Sequence, residues 1–467
     1  MKSIVYQMLP RLWGNGKFSS IDAGSLEYIK GLGAHYIWYT GVIRHATSAT
    51  EKVVKGDAGS PYAIVDYYDV NNYLADDSTR RMQEFLELVE RTHKAGLKVV
   101  IDFVPNHVAR ENVNLGKEDD KTVHWKAEND FFYYPGEALK LPSRCKGYKE
   151  VPAKASGNAF TSAPGINDWW ETVRINYCDF HTRTWDKMLD IVRFWAGKGV
   201  DGFRCDMVEM VPPQFMKWLI GRIKQEFPEI IFIAEVYQKD KYRMYVEEVG
   251  FDLLYDKCGL YDTLRAVSCS GASASGITRD WQFLGDLQPH MLNFLENHDE
   301  QRLASDFFCG SPERGYAALA VSLLWNTAPF MLYFGQEGGE RGMDKEGFSG
   351  LDGRTSIFDW AAKHFGPGKV LEAYRELLTL AGKPAFSNGL SYDLCYCQDG
   401  AFKPDRHFAW LRSDGKETYL IAANFGPEAD ITLRIPPEAL DYLGIKAVRT
   451  VYSVSVKDFG YAMIAVQ

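Results

Sequence analysis

Two stretches decide the fold of this chain: residues 199–206, Gly-Val-Asp-Gly-Phe-Arg-Cys-Asp, and residues 232–235, Phe-Ile-Ala-Glu. Each is a short apolar run that ends in an acid, Asp206 or Glu235, as is typical of a buried strand with a polar end. Residues 213–226 between them have the apolar spacing of an amphipathic helix. The pattern predicts a strand–helix–strand unit with a carboxylate at the carboxyl end of each strand. A parallel α/β barrel carries its catalytic groups at that end, because the loops there open into the cavity.

A purely structural role is the alternative for these two acids, as helix caps or members of ion pairs. That alternative requires two acids to end neighbouring buried strands by chance. It also requires Arg204 to stand by chance two residues before one of them. The functional interpretation of Asp206 and Glu235 is therefore favoured.

The composition limits the classes to which the protein can belong. Its 467 residues are 46% hydrophobic and 14% aromatic, which is enough for a large core and more than one domain. The net charge is −9 and no basic stripe is visible, so nucleic acid is not an expected partner. No window approaches the ~20 apolar residues of a membrane span, and the first residues are typical of a strand rather than a signal peptide. No membrane partner is expected.

The eight cysteines are scattered along the chain. Cys395 and Cys397 stand too close for an ordinary disulfide and have no second pair with which to form a zinc site. We therefore expect reduced thiols and a cytoplasmic protein. An export signal that had been removed from the sequence would not be detected in this way. The sequence does not indicate the oligomeric state.

Strand and helix patterns alternate through most of the chain. Eight strands are predicted at residues 4–9, 35–40, 98–104, 200–206, 230–235, 251–255, 290–299 and 328–335. Helical patterns separate them, which predicts a (β/α)8 TIM barrel. An open, doubly wound sheet would instead need a glycine-rich phosphate turn after the first strand, and residues 10–12, Pro-Arg-Leu, are not such a turn.

Two regions interrupt this alternation and define the predicted domains. Residues 108–176 lack a helical period and are too long for a plain loop, so we expect an inserted subdomain after strand three. Residues 384–467 form short alternating runs separated by turn residues, which predicts a C-terminal all-β sandwich. The barrel then comprises residues 1–107 and 177–383.

Four short motifs place ionisable residues at the ends of predicted strands. They are Asp102-Phe-Val-Pro-Asn106-His107, Gly202-Phe-Arg204-Cys-Asp206, Ala234-Glu235-Val236 and Glu296-Asn297-His298-Asp299. In these motifs and in their order, the sequence resembles the α-amylase superfamily, glycoside hydrolase family 13. The resemblance extends over most of the chain and implies a retaining α-glucan hydrolase that cleaves α-1,4 bonds of starch-like polymers or malto-oligosaccharides.

The resemblance also implies a role for each motif residue. Asp206 would be the nucleophile and Glu235 the general acid and then base. These roles agree with the physical requirement for one ionised and one protonated carboxyl group. Asp299 would stabilise the distorted sugar at the cleavage subsite. The expected substrate-binding residues are Tyr62, Asp102, His107, Arg204 and His298. In the insertion, Trp125, Trp169 or Trp170 is expected to be partly exposed and to contact sugar.

Two departures from the family pattern affect the prediction. Glu209 and Met210 stand where many α-amylases carry a Lys-His pair, which predicts a weakened acceptor subsite. Asn106 matches a calcium-ligating residue of the family, but the expected partner Asp near residues 174–176 is missing. Calcium is usually coordinated by six to eight oxygen ligands. No cofactor is therefore required by the sequence, and a calcium ion at Asn106 remains an alternative.

Other functions also remain open. A transglycosylase, an exo-acting α-glucosidase or an α-1,6-glucosidase would use the same site. A catalytically inactive sugar-binding relative is disfavoured because the three acids are present. A metal hydrolase is disfavoured because the chain lacks a His-rich ligand pattern, such as two histidines four residues apart on a helix.

Overall fold

The computed structural model describes residues 2–124, 129, 131–142, 147–177, 183–343, 352–446 and 449–466. The strands in these ranges are β1 Ile4–Met8, β2 Tyr36–Tyr39, β3 Ile43–His45, β4 Ile64–Val70, β5 Lys98–Phe103, β6 His107–Ala109, β7 Thr172–Arg174, β8 Gly202–Cys205, β9 Ile231–Ala234, β10 Leu253–Tyr255, β11 Met291–Phe294, β12 Phe330–Tyr333, β13 Leu390–Asp393, β14 His407–Ser413, β15 Thr418–Asn424, β16 Ala429–Arg434, β17 Val451–Val456 and β18 Tyr461–Ala465.

Eight of these strands close into a parallel barrel in the order β1-β12-β11-β10-β9-β8-β5-β2. Every residue of β1, β8, β11 and β12 is buried, because helices cover the outside of the barrel and side chains fill the inside. The predicted (β/α)8 barrel is confirmed. Each of the predicted strands one to eight contains one of the barrel strands.

The helices are α1 Ala23–Gly31, α2 Arg81–Lys94, α3 Arg183–Gly197, α4 Pro213–Glu226, α5 Asp262–Ser270, α6 Ser275–Leu284, α7 Tyr316–Leu324, α8 Glu372–Ala381, α9 Pro384–Ser387 and α10 Pro437–Leu443. A π-helical stretch lies at Met244–Val249, between β9 and β10. The helix α4 begins at a proline, whose missing N–H is not needed in the first turn. The bounds of α4 are those predicted from the sequence, residues 213–226. The sequence analysis did not identify α5 and α6.

Two small sheets extend the loops above the barrel. The segment after β2 contains the antiparallel pair β3–β4. Four of the seven residues of β4 are buried. The antiparallel pair β6–β7 joins the two ends of the segment inserted after β5. His107 at its start lies opposite Arg174 at its end.

The C-terminal region contains a four-stranded antiparallel sheet, β13-β14-β15-β18, and a two-stranded sheet, β16-β17. Leu411 and Leu433 belong to the apolar cluster between them. The short helix α10 connects β16 to β17 and was not part of the expected all-β pattern. Arg412 on β14 donates to the carbonyl oxygens of Ala385 and Phe386, so its buried guanidinium ties this region to α9.

Two further features concern the helices and the cysteines of the described ranges. None of the helices in these ranges has both the length and the apolar character of a membrane span. The six cysteines described are all free thiols, and the other two lie outside the described residues.

Candidate active site

A cavity of about 240 Å³ opens where the carboxyl ends of the barrel strands meet the inserted segment. It is lined by Lys55, Ser60, Tyr62, His107, Trp169, Glu171, Thr172, Asp206, Met207, Glu235, Tyr237, Asp299, Ile357 and Phe358. Five of the residues predicted for the site are therefore among its walls. They come from the ends of different strands, and only closure of the barrel brings them together.

Arg204 is the centre of the charged groups below this cavity. It is fully buried on β8, and its Nη1 lies 2.6 Å from Oδ1 of Asp206. Its Nη2 lies 2.9 Å from Oε2 of Glu235, and Nη1 lies 3.8 Å from Oδ1 of Asp102. Its Nε donates to the hydroxyl of Tyr255 at 3.2 Å. One guanidinium thus contacts both predicted catalytic carboxyl groups.

Asp206 follows β8 directly and has a charged partner at hydrogen-bond distance. Burial raises the pKa of Asp206, and the charge of Arg204 and its hydrogen bond only partly offset this rise. Oδ1 accepts from Arg204, while Oδ2 lies 4.0 Å from Nε2 of His107 on the cavity side. The contact with Arg204 favours the ionised carboxylate that nucleophilic attack requires.

Glu235 follows β9 and is only 4% exposed. Its Oε2 accepts the backbone N–H of Met207 at 2.9 Å, and its Oε1 accepts the hydroxyl of Tyr237 at 2.5 Å. Met207 has a left-handed backbone, φ +46°, which is strained for a residue with a side chain. Burial, and next the charge of Asp206, raise the pKa of Glu235, while Arg204 opposes them. A raised pKa suits a general acid.

Asp299 completes the group of acids after β11. Its side chain is 42% exposed, and its Oδ2 lies 3.1 Å from Nε2 of His298. Burial raises the pKa of Asp299, and the charge of Glu235 raises it further. Three carboxyl groups in one cavity cannot all be ionised without cost, so their protonation is coupled.

His298 and His107 are both neutral in this site. As the Gln7 amide is oriented, its Nε2 donates to Nδ1 of His298 at 2.8 Å, which assigns the ring proton to Nε2. That nitrogen contacts Tyr62 and Asp299. Burial holds the pKa of His298 well below its usual range and lowers that of His107 to about 3. Both imidazoles can therefore donate a hydrogen bond without carrying charge.

The predicted substrate-binding residues lie at two depths. Tyr62 and His107 line the cavity, and the Tyr62 ring stacks on that of His298 with centroids 5.3 Å apart. Asp102, Arg204 and His298 are buried behind this wall. Burial raises the pKa of Asp102 to about 7. Direct contact of these residues with a substrate stays a prediction.

The tryptophans predicted in the insertion have different positions. Trp169 lines the cavity, with its ring centroid 5.0 Å from that of His107. Trp170 is only 1% exposed and packs in the interior of the insertion, so its predicted exposure was wrong. Trp125 lies outside the described residues.

Tyr237 is a candidate site residue that the sequence analysis did not name. It stands two residues after Glu235 and both lines the cavity and donates to that acid. Its position next to the motif was the available signal. The carboxylate of Glu209 accepts the backbone N–H groups of Tyr237 and Gln238. The weakened acceptor subsite expected from Glu209 and Met210 stays a prediction.

The surroundings of Asn106 do not fit a calcium ion. The Asn106 amide Nδ2 contacts Nδ1 of His107 at 3.0 Å and the carbonyl of Gly157 at 3.4 Å. Among the residues that the structure describes, none forms a hydrogen bond with its buried Oδ1, which leaves that oxygen available as a metal ligand. However, the stretch 174–176, where a carboxylate ligand is expected, is Arg-Ile-Asn and adds a cation instead of an acid. Among the described residues, no three His, Cys, Asp or Glu side chains are grouped as metal ligands.

A barrel with buried acids at the carboxyl ends of its strands, two of them bridged by one arginine, defines a class of glycosidase-like enzymes. The family model described as "Alpha amylase, catalytic domain" matches residues 16–363. The chain belongs to this family, glycoside hydrolase family 13.

Individual relatives are more distant. The chain is 27% identical over 440 residues to "Alpha-amylase MalA" of Haloarcula japonica, covering 91% of this chain and 56% of that protein. It is 27% identical over 223 residues to "Probable oligo-1,6-glucosidase 2" of Bacillus subtilis, covering 45% and 35%. The chain thus spans about half, or less, of the length of these curated relatives.

A solved structure resembles the whole chain. It is the cyclic α-maltosyl-(1→6)-maltose hydrolase of Arthrobacter globiformis in complex with cyclic α-maltosyl-(1→6)-maltose. The TM-score is 0.72 at 18% identity, and the likeness covers 99% of this chain and 98% of that one. At this identity, the comparison establishes the shared fold.

Proposed function

We propose that the protein is a retaining α-glucan hydrolase that cleaves α-1,4-glucosidic bonds of malto-oligosaccharides or starch-like polymers by double displacement. The contact of Arg204 with both Asp206 and Glu235 is the observation that carries this proposal. Retention requires two carboxyl groups ~5–5.5 Å apart. A single guanidinium between them supports so short a separation. Membership in the α-amylase family supports the α-glucan substrate.

In the first step, an oxygen of Asp206 attacks the anomeric carbon of the bound glucose unit. Glu235 donates its proton to the glycosidic oxygen, and the sugar on the leaving side departs. In the second step, Glu235 removes a proton from water, which attacks the same carbon and releases Asp206. Asp299 stabilises the positive charge that develops on the sugar ring in both steps.

The neutral side chains around the acids bind the sugar. His107 carries its acceptor nitrogen toward Asn106, so its Nε2–H is directed at the cavity. The Tyr62 ring presents an aromatic surface on which a sugar face can pack. These groups orient the anomeric carbon toward Asp206, which is the positioning that bond formation needs.

The second candidate function is exo action on short chains, which the wall formed by Lys55, Glu171 and Phe358 favours. Lys55 Nζ lies 4.0 Å from Oε1 of Glu171 and 5.5 Å from the ring centroid of Phe358. These residues follow β2, β5 and β12 in the chain and line the same cavity as Tyr237, which follows β9. With the leaving sugar bound beside Glu235, we expect the Lys55–Glu171 ion pair to limit the space left for a longer non-reducing chain.

Two substitutions test the catalytic roles. Asp206→Asn and Glu235→Gln should each lower kcat on maltotriose by ~10³ or more with the fold intact. Glu235→Gln should recover rate on α-glucosyl fluoride, whose leaving group needs little acid assistance. Asp256→Asn is the matched control, because Asp256 is an equally buried acid that does not line the cavity. Near-normal hydrolysis by either catalytic variant would refute the mechanism.

Product analysis separates the alternatives in specificity. With amylose as substrate, exo action releases reducing sugar well before iodine staining is lost, whereas endo action removes the staining first. Parallel digests of maltotriose, panose and isomaltose distinguish α-1,4 from α-1,6 cleavage. Products longer than the substrate would indicate transglycosylation.

A further inference from the structure

Arg174, the last residue of β7, reaches from the insertion to the barrel. Its Nη2 donates to the carbonyl oxygen of Met210 at 2.6 Å. The guanidinium carbon lies 4.3 Å from the ring centroid of Phe160. Burial lowers the pKa of its guanidinium. Arg174 is therefore a largely buried cation whose strongest bond is to a backbone carbonyl.

The same residue lies in the stretch 174–176, where the family pattern expects an acidic calcium ligand. The N–H of Ile175 donates to the carbonyl of Asn106 at 3.0 Å, which puts Arg174 beside that asparagine. Arg174 is also paired with His107 across β6 and β7, and His107 lines the cavity. A fixed cation here would repel a metal ion.

We propose that the Arg174 guanidinium takes the place of a calcium ion: it fastens the insertion to the turn after β8 and makes the protein independent of calcium. In this role Arg174 is a positioning residue for Glu235. The second part rests on the proposed function, since it requires Glu235 to be the general acid.

The connection from Arg174 to Glu235 is short. Arg174 holds the carbonyl of Met210, and the N–H of Met210 donates to the carbonyl of Met207 at 2.9 Å. The N–H of Met207 in turn donates to Oε2 of Glu235. Because Met207 has a strained left-handed backbone, the turn needs an external tie to keep this N–H in place.

The first experiment tests calcium independence on the full chain. Thermal unfolding and kcat on maltotriose are measured before and after dialysis against excess EDTA, and again with calcium restored. We expect Tm and kcat to be unchanged throughout. A drop in Tm after EDTA that calcium reverses would overturn the proposal, even if the protein hydrolysed no α-glucoside.

The second experiment tests positioning with Arg174→Met. On an aryl maltoside with a poor leaving group, kcat should fall about ten-fold to a hundred-fold, the loss expected for one charged hydrogen bond. On α-glucosyl fluoride, which needs little acid assistance, kcat should fall much less. Arg174→Lys should restore part of the loss because it keeps the charge.

Arg110→Met is the matched control. Arg110 is buried in the insertion, and its side-chain hydrogen bonds to described residues go to Trp170, Glu150 and Lys154, which belong to the same segment. It should lower Tm and affect both substrates by the same factor. Equal losses on both substrates in Arg174→Met would overturn the positioning role. If Arg174→Met does not fold, the same comparison of substrates is made with Arg174→Lys.

Discussion

Tyr237→Phe should shift the pH dependence of catalysis toward higher pH. The Tyr237 hydroxyl donates to Oε1 of Glu235 at 2.5 Å, and a donor stabilises the ionised form of a carboxyl group. Its removal therefore raises the pKa of Glu235. Because Glu235 must be protonated to act as the general acid, the variant should remain active to a higher pH than the natural protein.

The size of this shift follows from the bond that is lost. A hydrogen bond to a charged group contributes ~1.5–3 kcal/mol. A change of one pKa unit corresponds to about 1.36 kcal/mol. Complete loss of the bond would therefore raise the pKa of Glu235 by ~1–2 units. Tyr237 is partly exposed, and water can replace its hydroxyl in the variant. We therefore expect the basic limb to move up by about one unit.

The assay is the pH profile of kcat/KM on maltotriose, which reports the groups of the free enzyme. Tyr242→Phe is the matched control, since its buried hydroxyl bonds to neither catalytic carboxyl group. The control should leave the profile unchanged. A basic limb that stays in place in Tyr237→Phe, or moves to lower pH, would refute the assignment of this bond.

Three further predictions concern the acids and the insertion. Asp299→Asn should lower kcat by ~10² or more with little change in Tm, because its side chain faces the cavity. Trp169→Ala should raise KM on maltotriose by about three- to ten-fold through loss of an aromatic contact; an unchanged KM would contradict it. Asp256→Asn should flatten the pH dependence of stability. Burial raises the pKa of Asp256 to about 7, so its stabilising contribution is complete below about pH 4 and is lost as pH rises through 7. Relative to the natural protein, the variant should gain about 2–3 kcal/mol in urea unfolding between pH 5 and 8.

The strand pattern and the polar strand ends were readable from the sequence because both depend on short-range order. Apolar runs of strand length, separated by amphipathic helices, predict a parallel barrel with little regard to distant residues. The barrel then places Asp206, Glu235 and Asp299 at one end, since all of its strands run in the same direction. The helix α4 illustrates this, because its proline start and apolar face are local features.

The tertiary structure decided what the loops do. The Arg174–Met210 and Lys55–Glu171 contacts join segments that are far apart in sequence. Glu209 accepts a hydrogen bond from the backbone of the loop after β9, a contact that no local pattern encodes. The sequence by itself therefore determined the barrel and its acids, through periodicity and strand polarity. The contacts between loops that line the cavity depend on long-range packing of irregular segments. Only the folded chain brings these segments together.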